Sequence, residues 1–321
     1  MRVLVTGGGG FIGSHLVERL VGQGHDVRVL DNFATGRREN LLEVQHDVDL
    51  MEGDVQSYER VHNAVSGCEC VLHQAALPSV PRSIQDPLTS NASNVIGTLN
   101  VLLAARDSGV RRVVFASSSS VYGANEALPK GESLLPAPIS PYGVAKLAGE
   151  GYCRSFTAVY GLETVSLRYF NVFGPRQDPL SQYAAVIPNF ISAALRGESP
   201  TIFGDGEQSR DFTYVDNVVE ANLIAMAAAG TPGSVYNVAC GARITLTELV
   251  DGLSDALGQP IVPRYEPPRP GDVRHSFADL TLGRQELGYE PSVGFEEGLR
   301  RTVQYWRDRA RAHTDARAGA P

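Results

Sequence analysis

Three groups of residues in this 321-residue chain have types and spacings that could do chemistry. The first is Thr6-Gly7-Gly8-Gly9-Gly10-Phe11-Ile12-Gly13, in which Gly7, Gly10 and Gly13 fit G-x-x-G-x-x-G and Gly8, Gly10 and Gly13 fit G-x-G-x-x-G. Glycines there allow a tight turn and bring backbone N–H groups against a pyrophosphate at a helix N-terminus. The second is Asp31, 18 residues after Gly13. A carboxylate at the end of the next strand can bind both hydroxyls of an adenosine ribose and would repel a 2′-phosphate. Arg37 and Arg38, close by, are the only hint of a 2′-phosphate. Asp54-Val55 would face the adenine, or would cap a helix. The third group is Ser118, Tyr142 and Lys146. Tyr142 and Lys146 are four apart and share one helical face. A lysine cation favours the phenolate and lowers the tyrosine pKa. A phenolate can take a hydroxyl proton while hydride leaves the same carbon. Ser118 stands 24 residues earlier and could hydrogen-bond the same hydroxyl. Taken alone, Tyr-x-x-x-Lys also describes an exposed pair on a helix. Behind a dinucleotide loop the chemical reading gains weight.

These groups need strand ends, a glycine turn and a helix start brought to one place. Arg2–Thr6, Val27–Asp31, Val48–Glu52, Cys70–Gln74 and Arg112–Ser117 read as strands. They are apolar or β-branched rather than polar on alternate residues, which suits parallel strands covered on both faces. Helix candidates lie near Phe11–Gln23, Ser57–Val65 and Leu88–Ser108. A further helix after Pro141 and a strand at Thr164–Tyr169 extend the series. Repeated βα units predict a doubly wound sheet with right-handed crossovers. After about Arg168, prolines break the chain into short pieces and predict a smaller, loop-rich lobe. Val235–Val238 and a helix candidate at Asp216–Ala228 could still return to the large sheet. The tail Arg307–Pro321 is charged and Ala-rich, and is expected to fray past the last helix.

Composition narrows the partners. Hydrophobic residues are 43% and charged residues 20%, a globular balance that excludes wholesale disorder. Lys plus Arg is 28 and Asp plus Glu is 36, so the net charge is 28 − 36 = −8. Such a chain is a poor nucleic-acid binder, and an anionic ligand must be held by a few placed arginines. The four cysteines form no C-x-x-C pair and read as free thiols in a reducing compartment. The seven histidines show no zinc-type spacing, so no metal is expected. Met1–Val5 runs straight into glycines without a signal-peptide core. No apolar run approaches the ~18 residues of a membrane span. The expectation is a soluble, cytoplasmic protein with no nucleic-acid or membrane partner.

Gly7–Gly13, Asp31, Ala75-Ala76, Ser118-x-x-Val121-Tyr122-Gly123 and Tyr142-x-x-x-Lys146 together resemble the extended short-chain dehydrogenase/reductases, which include the sugar-nucleotide epimerases and dehydratases. The resemblance covers nearly the whole chain, to about Trp306. It implies an α/β fold: a Rossmann-type doubly wound parallel sheet with a smaller mixed α/β C-terminal substrate lobe. Residues 1–168, with return segments near 214–240, would bind NAD; residues 169–321 would mainly bind a UDP-sugar. Cofactor contacts are implied for Gly7, Gly10, Phe11, Ile12, Asp31, Asn32, Asp54, Val55, Ala75, Lys146 and Tyr169. Catalysis is implied for Ser118, Tyr142 and Lys146. Substrate contacts are implied for Ser79, Ser118, Tyr142, Asn171, Ala185, Val186, Arg210, Arg269, Asp272 and Ser276. Helices near Ser93–Ala105 and Lys146–Ala158 would form a homodimer interface. His73, close to the cofactor by sequence, reads as a satisfied core histidine.

Three places discriminate within that family. Dehydratases and some decarboxylases resemble one another in acids just after the catalytic Ser/Thr; here stands Ser118-Ser119-Ser120, so elimination is disfavoured. Leu167–Pro179 resembles the UDP-N-acetylglucosamine 4-epimerases, whereas glucuronate epimerases carry Thr where Asn171 stands and Arg where Asp178 stands. Asp178 has the wrong sign for a substrate carboxylate. Arg269-Pro270-Gly271-Asp272 resembles an R-x-G-D segment that, with Arg210, implies two arginines on a UDP diphosphate. Four residues after its Asp, a tyrosine excludes N-acetylated sugars in relatives; here Ser276 leaves room. The resemblance thus implies reversible 4-epimerisation of a UDP-hexose, foremost UDP-GlcNAc/UDP-GalNAc, through a 4-keto sugar. UDP-glucuronate or another UDP-sugar is the enzymatic alternative. An NAD-binding regulatory module is the alternative of another class; such modules usually lose the Tyr/Lys pair.

Overall fold

The computed structural model describes residues 1–179, 185–268 and 274–318, with side chains to residue 311. Arg269 and Asp272, two expected substrate contacts, lie outside the described residues. Among the described residues, seven strands form one sheet: β1 (Arg2–Thr6), β2 (Asp26–Asp31), β3 (Val48–Glu52), β4 (Cys70–His73), β5 (Arg112–Ser118), β6 (Glu163–Tyr169) and β7 (Ser234–Val238). Their order is β7-β6-β5-β4-β1-β2-β3, and every pairing is parallel. This is the Rossmann arrangement the sequence pattern predicts. Thr6 stands opposite Leu30 and His73, and Ser118 opposite Tyr169, so the C-terminal strand ends share one edge. The order reverses between β1 and β4, and ligands bind such sheets at that crevice.

Among the described residues the longer helices are α1 (Phe11–Gly22), α2 (Tyr58–Val65), α3 (Gly97–Asp107), α4 (Pro141–Tyr160), α5 (Val186–Leu195), α6 (Val215–Ala227), α7 (Leu246–Leu257) and α8 (Phe295–Ala318). Alternate strand residues feed two apolar layers. Val3, Val5, Leu72 and Val114 pack with Leu16 and Leu20 of α1 and Val218 of α6. Leu4, Val71, Val113 and Phe115 pack with Val61 of α2, Val101 of α3 and Phe156 of α4. Continuous apolar strands at the centre of the sheet follow from that two-sided burial, whereas the edge strand β3, with Asp49 and Glu52, is largely exposed and departs from the expected pattern. The first layer runs on without a break to Leu249, Leu253 and Leu299 of α7 and α8. Short ladders complete the C-terminal part: Val172–Phe173 with Thr213–Tyr214, Thr201–Phe203 with Arg264–Glu266, and Ser209–Arg210 with Ile244–Thr245.

Two expectations need correction. The helix predicted over Leu88–Ser108 is interrupted: Pro87–Asn91, a π-helical turn at Ala92–Ile96, then α3. Asn94 sits in that turn and pairs with the backbone of Leu77 through both its oxygen (2.8 Å) and its amide (3.0 Å). A π turn of this kind marks functional sites more often than chance. The last helix also runs further than Arg307, with α8 reaching Ala318. Its Ala and Arg content is strongly helix-forming, which offsets the charge density.

Candidate active site

Gly7 carries φ +71°, and a Cβ there would lie 2.7 Å from the Ala75 nitrogen. A Cβ on Gly13 would lie 2.1 Å from the Gly7 carbonyl oxygen. Only glycine lets the turn fold this closely between β1 and α1. Gly10 is the N-cap of α1, with no side-chain cap and no acid in the first turn. The helix start therefore presents unneutralised N–H groups, which favours an anion. Asp31 ends β2 beside it, accepting from Gly9 N (2.8 Å) and Phe33 N (2.7 Å). Burial pushes its carboxyl up, against those two N–H groups. A carboxylate with two such bonds still has acceptor sites for ribose hydroxyls. A cavity of about 210 Å³ opens above. Gly7, Gly10, Phe11, Ile12, Asp31, Asn32, Asp54, Val55, Ala75, Lys146 and Tyr169 all line it, and so does Tyr142. The uncapped helix start, the glycine cradle and the carboxylate fit a dinucleotide.

Other features of the rim change what the sequence suggested. Asp54 is not a helix cap: Ser57 caps α2, while Asp54 accepts from Gln56 N (2.8 Å) and from the Asn32 amide (2.8 Å). Arg38 pairs with Glu52 and lies 4.3 Å over the Phe33 ring. Arg37 pairs with Asp178 at 2.8 Å. Both arginines that hinted at a 2′-phosphate are thus committed to carboxylates. Asp178 is likewise turned to Arg37 and is not a wall residue of the larger cavity described below.

Tyr142 and Lys146 are placed by the start of α4. Ser140 accepts from Gly143 N at 3.1 Å and Pro141 opens the first turn, so cap and proline fix the helix origin. The Tyr142 backbone N donates to Ser83 Oγ at 3.1 Å. Burial pushes the Tyr142 phenol up to about 12, and a hydrogen bond from Ser118 pulls against it. Lys146 Nζ donates to the Ala116 carbonyl at 2.7 Å and stands 5.8 Å from the Tyr142 ring centre. Burial lowers this lysine to about 8. The expected depression of the phenol by Lys146 is not what this geometry gives: burial raises it, and the opposing hydrogen bond comes from Ser118. His73 is fully enclosed between Thr6 Oγ1 (2.7 Å) and Thr98 Oγ1 (3.0 Å), a satisfied core residue.

A second cavity of about 740 Å³ lies beyond, with Asn171, Ala185, Val186 and Arg210 in its wall. Asn171 has φ +31° and its amide reaches the Asp211 carbonyl at 3.4 Å. Ser79 caps the short helix Val80–Gln85 with φ +103°, between Pro78 of the first cavity and Pro81 of the second. Ser276 is not in either wall: its N–H is tied to the Ser209 carbonyl at 3.1 Å, next to Arg210. Sequence reasoning missed Gln74 and Asn222, which hold the Tyr169 hydroxyl at 3.1 and 2.8 Å. It also missed Ser93, which the π turn brings to the first cavity. A strand-end position was the available signal for Gln74; nothing local marked the other two. Among the described residues no group of three His, Cys, Asp or Glu side chains is placed to hold a metal. No helix there is long and apolar enough to cross a membrane.

A cleft at the switch point of a parallel sheet, with a phenol and a lysine at its inner end, is the arrangement of an NAD-dependent enzyme that works on hydroxyl-bearing carbons. The chain belongs to the NAD dependent epimerase/dehydratase family, whose model matches residues 3–239. It is 40% identical over 318 residues to a UDP-glucose 4-epimerase of Mycolicibacterium smegmatis, spanning 97% of this chain and 100% of that protein. The UDP-N-acetylglucosamine 4-epimerase of Methanobrevibacter ruminantium, solved in complex with UDP-N-acetylmuramic acid, superposes with a TM-score of 0.92 at 42% identity, over 96% of this chain and 98% of that one. The UDP-glucose 4-epimerase of Thermus thermophilus, solved in complex with NAD, gives a TM-score of 0.86 at 40% identity, over 96% and 99%.

Proposed function

We propose that the protein interconverts UDP-hexoses at C4, with UDP-GlcNAc and UDP-GalNAc the preferred pair and UDP-glucose and UDP-galactose also turned over. Tyr142 and Lys146 in the wall of the same cleft as the Gly7–Gly13 turn and Asp31 carry this reading. NAD supplies, when bound, the hydride acceptor and donor. Tyr142 takes the C4 hydroxyl proton at its phenolic oxygen and later returns it. Ser118 hydrogen-bonds that oxygen, and Lys146 holds the nicotinamide ribose and stabilises the ionised phenol. Arg210, with Arg269, neutralises the diphosphate bidentately. Asp272 and Ser79 belong to the same substrate shell, and Asn171, Ala185 and Val186 form its wall. The 4-keto sugar, anchored by its UDP end, turns over between the two transfers. Residues 1–168, with a return at 214–240, serve the cofactor, and residues 169–321 mainly the substrate.

The preference for an acetamido sugar rests on Asn171 in the wall of the larger cavity and on the resemblance at Ser276, a small residue that stands outside that wall. A uronate substrate is the second reading, because Asp178 is neutralised by Arg37 and does not oppose a substrate carboxylate. Turnover of UDP-GlcNAc, UDP-glucose and UDP-glucuronate by one preparation, with the bound nucleotide identified first, separates them. Turnover of UDP-glucuronate alone overturns the first reading; net NADH release in every cycle overturns both. A homodimer is supported by exposed Ile96, Val144, Tyr152 and Val159 on and beside α3 and α4. Light scattering reads it directly, and a monomer at assay concentration removes it. The same reading places the enzyme in the cytoplasm, where the free thiols Cys68, Cys70, Cys153 and Cys240 stay reduced.

A further inference from the structure

The mechanism leaves one buried pair of charges unused. Glu150 stands one turn after Lys146 in α4, and Arg168 stands one residue before Tyr169 in β6. Arg168 donates to Glu150 from Nε at 2.9 Å and from Nη2 at 2.8 Å, with both side chains 3% exposed. Glu150 Oε1 also accepts from Ser117 Oγ at 2.5 Å. Ser117 lies between Ala116, whose carbonyl takes the Lys146 ammonium, and Ser118, which acts on Tyr142. One carboxylate therefore ties β5, α4 and β6 at the residues adjoining the site. A buried ion pair is a weak source of stability, because desolvation cancels most of the attraction. Positional and electrostatic control explains it better than added stability.

We propose that Glu150 is a positioning residue for the proton transfer: through Ser117 it holds Ser118 and the Ala116 carbonyl against Tyr142 and Lys146, and it places a carboxylate one helical turn from the Lys146 ammonium. This rests on the reading of Tyr142 and Lys146 as the proton-transfer pair. The groups that face Lys146 are few. On α4 they are Tyr142, Glu150 and Cys153; on β4 His73; on β5 the Phe115 ring at 5.0 Å and the Ala116 carbonyl. Burial pulls Lys146 down, while Cys153 and Glu150 push it up. The Cys153 thiol is itself raised to about 12 by burial, so it carries no charge at neutral pH. His73 stays neutral, lowered to about 3. Arg168, bound to the same carboxylate, offsets part of its field.

The chain has two lysines, Lys130 and Lys146. Protein labelled with ¹³C at the lysine Cε gives two resonances, and Lys130→Arg assigns them. In NAD-loaded Glu150→Gln the Lys146 midpoint is expected to fall by about one pH unit while Lys130 stays in place. The alkaline limb of kcat should move with it, a loss of about tenfold above both midpoints. A variant that merely loses stability would melt earlier with Lys146 titrating as in wild type, and that result overturns the proposal. If Glu150→Gln does not fold, Glu150→Gln with Arg168→Met removes the unpaired cation as well, and a wild-type kcat in that variant overturns the proposal. Ser117→Ala keeps the ion pair and loses one clamp. It should lower kcat about threefold to tenfold at unchanged KM and unchanged Lys146 midpoint; wild-type kcat overturns the clamp. Should Tyr142→Phe keep full turnover, the functional reading fails, while the lysine titration still decides whether Glu150 sets the charge of Lys146.

Discussion

The charge state of Tyr142 decides what this site can do, and its surroundings oppose ionisation. Burial raises the phenol to about 12, and Ser118 supplies the opposing hydrogen bond. A phenylalanine at 142 keeps the ring and its packing and removes the atom that carries the proton. Tyr142→Phe is therefore expected to lower kcat by about 10²–10⁴-fold, with far less change in UDP-sugar affinity. Steady-state turnover set against equilibrium titration of the nucleotide sugar checks this, and a variant with near-normal kcat removes Tyr142 from the chemistry. The convergence of Ser118, Tyr142 and Lys146 was legible in the sequence, because a helix period and a strand end are local facts. Their electrostatics were not. Spacing puts a lysine near a tyrosine, but desolvation is set by side chains remote in sequence, such as Phe115 over Lys146. Ser276 shows the same limit. Its size was readable, while its tether to Ser209 depends on a contact 67 residues away.

At the scale of elements, the segment after β2 folds back across the glycine turn. Arg37 N donates to the Gly9 carbonyl at 2.9 Å, and the Asn40 amide reaches the same oxygen at 2.9 Å. From this segment the Arg37 guanidinium crosses to Asp178. The pair straps the rim of the cofactor cleft to the stretch that follows β6. Exposed pairs contribute about 0–1 kcal/mol, so the effect is modest and falls with salt. Arg37→Ala and Asp178→Ala should each speed NAD release, by up to about fivefold at low ionic strength. The charge swap Arg37→Asp with Asp178→Arg should restore retention. Rapid dilution followed by quantification of remaining nucleotide measures this, and unchanged release in both single variants detaches the strap from cofactor binding. No sequence signal pairs residues 141 positions apart, whereas the seven-stranded sheet was largely readable from its apolar strands. β1 and β3 fall on the predicted bounds. The two- and three-residue ladders of the C-terminal part were not readable, since pairs such as Thr201–Phe203 with Arg264–Glu266 are too short to show a period. The π turn escaped for a related reason: the bonds that accompany it join Asn94 to Leu77, 17 residues away, and do not show in the helix's own pattern.

For the whole molecule, the buried histidines set the response to acid. His73 is enclosed with Nδ1 accepting from Thr6 and Nε2–H donating to Thr98, whose own hydroxyl proton goes to the Asn94 carbonyl. That network suits the neutral ring, and burial lowers His73 to about 3. His15, bonded to the Pro175 carbonyl at 3.1 Å, is lowered by burial to about 4. In the unfolded chain both titrate near 6.5. Between those values the unfolded state binds more protons, so stability is lost as pH falls below 6.5. Asp211 works the other way. Its carboxylate accepts from Cys240 N, Gly241 N and Ala278 N, yet burial raises it to about 6, so the folded state binds the extra proton between about 4 and 6. From pH 7 to 5.5 each histidine costs about 1 kcal/mol, and Asp211 returns somewhat less than one such increment. These three groups give an expected loss of roughly 1–2 kcal/mol over that interval, which the burial-raised carboxyls of Asp31 and Glu132 reduce. Urea unfolding at pH 7.0 and 5.5 measures it, with His73→Gln as the companion variant. Gln cannot charge, so its stability should depend less steeply on pH than wild type, even if it starts lower. A midpoint that holds steady or rises on acidification would mean that the Asp211 carboxyl, rather than the two histidines, governs the response of the fold to acid.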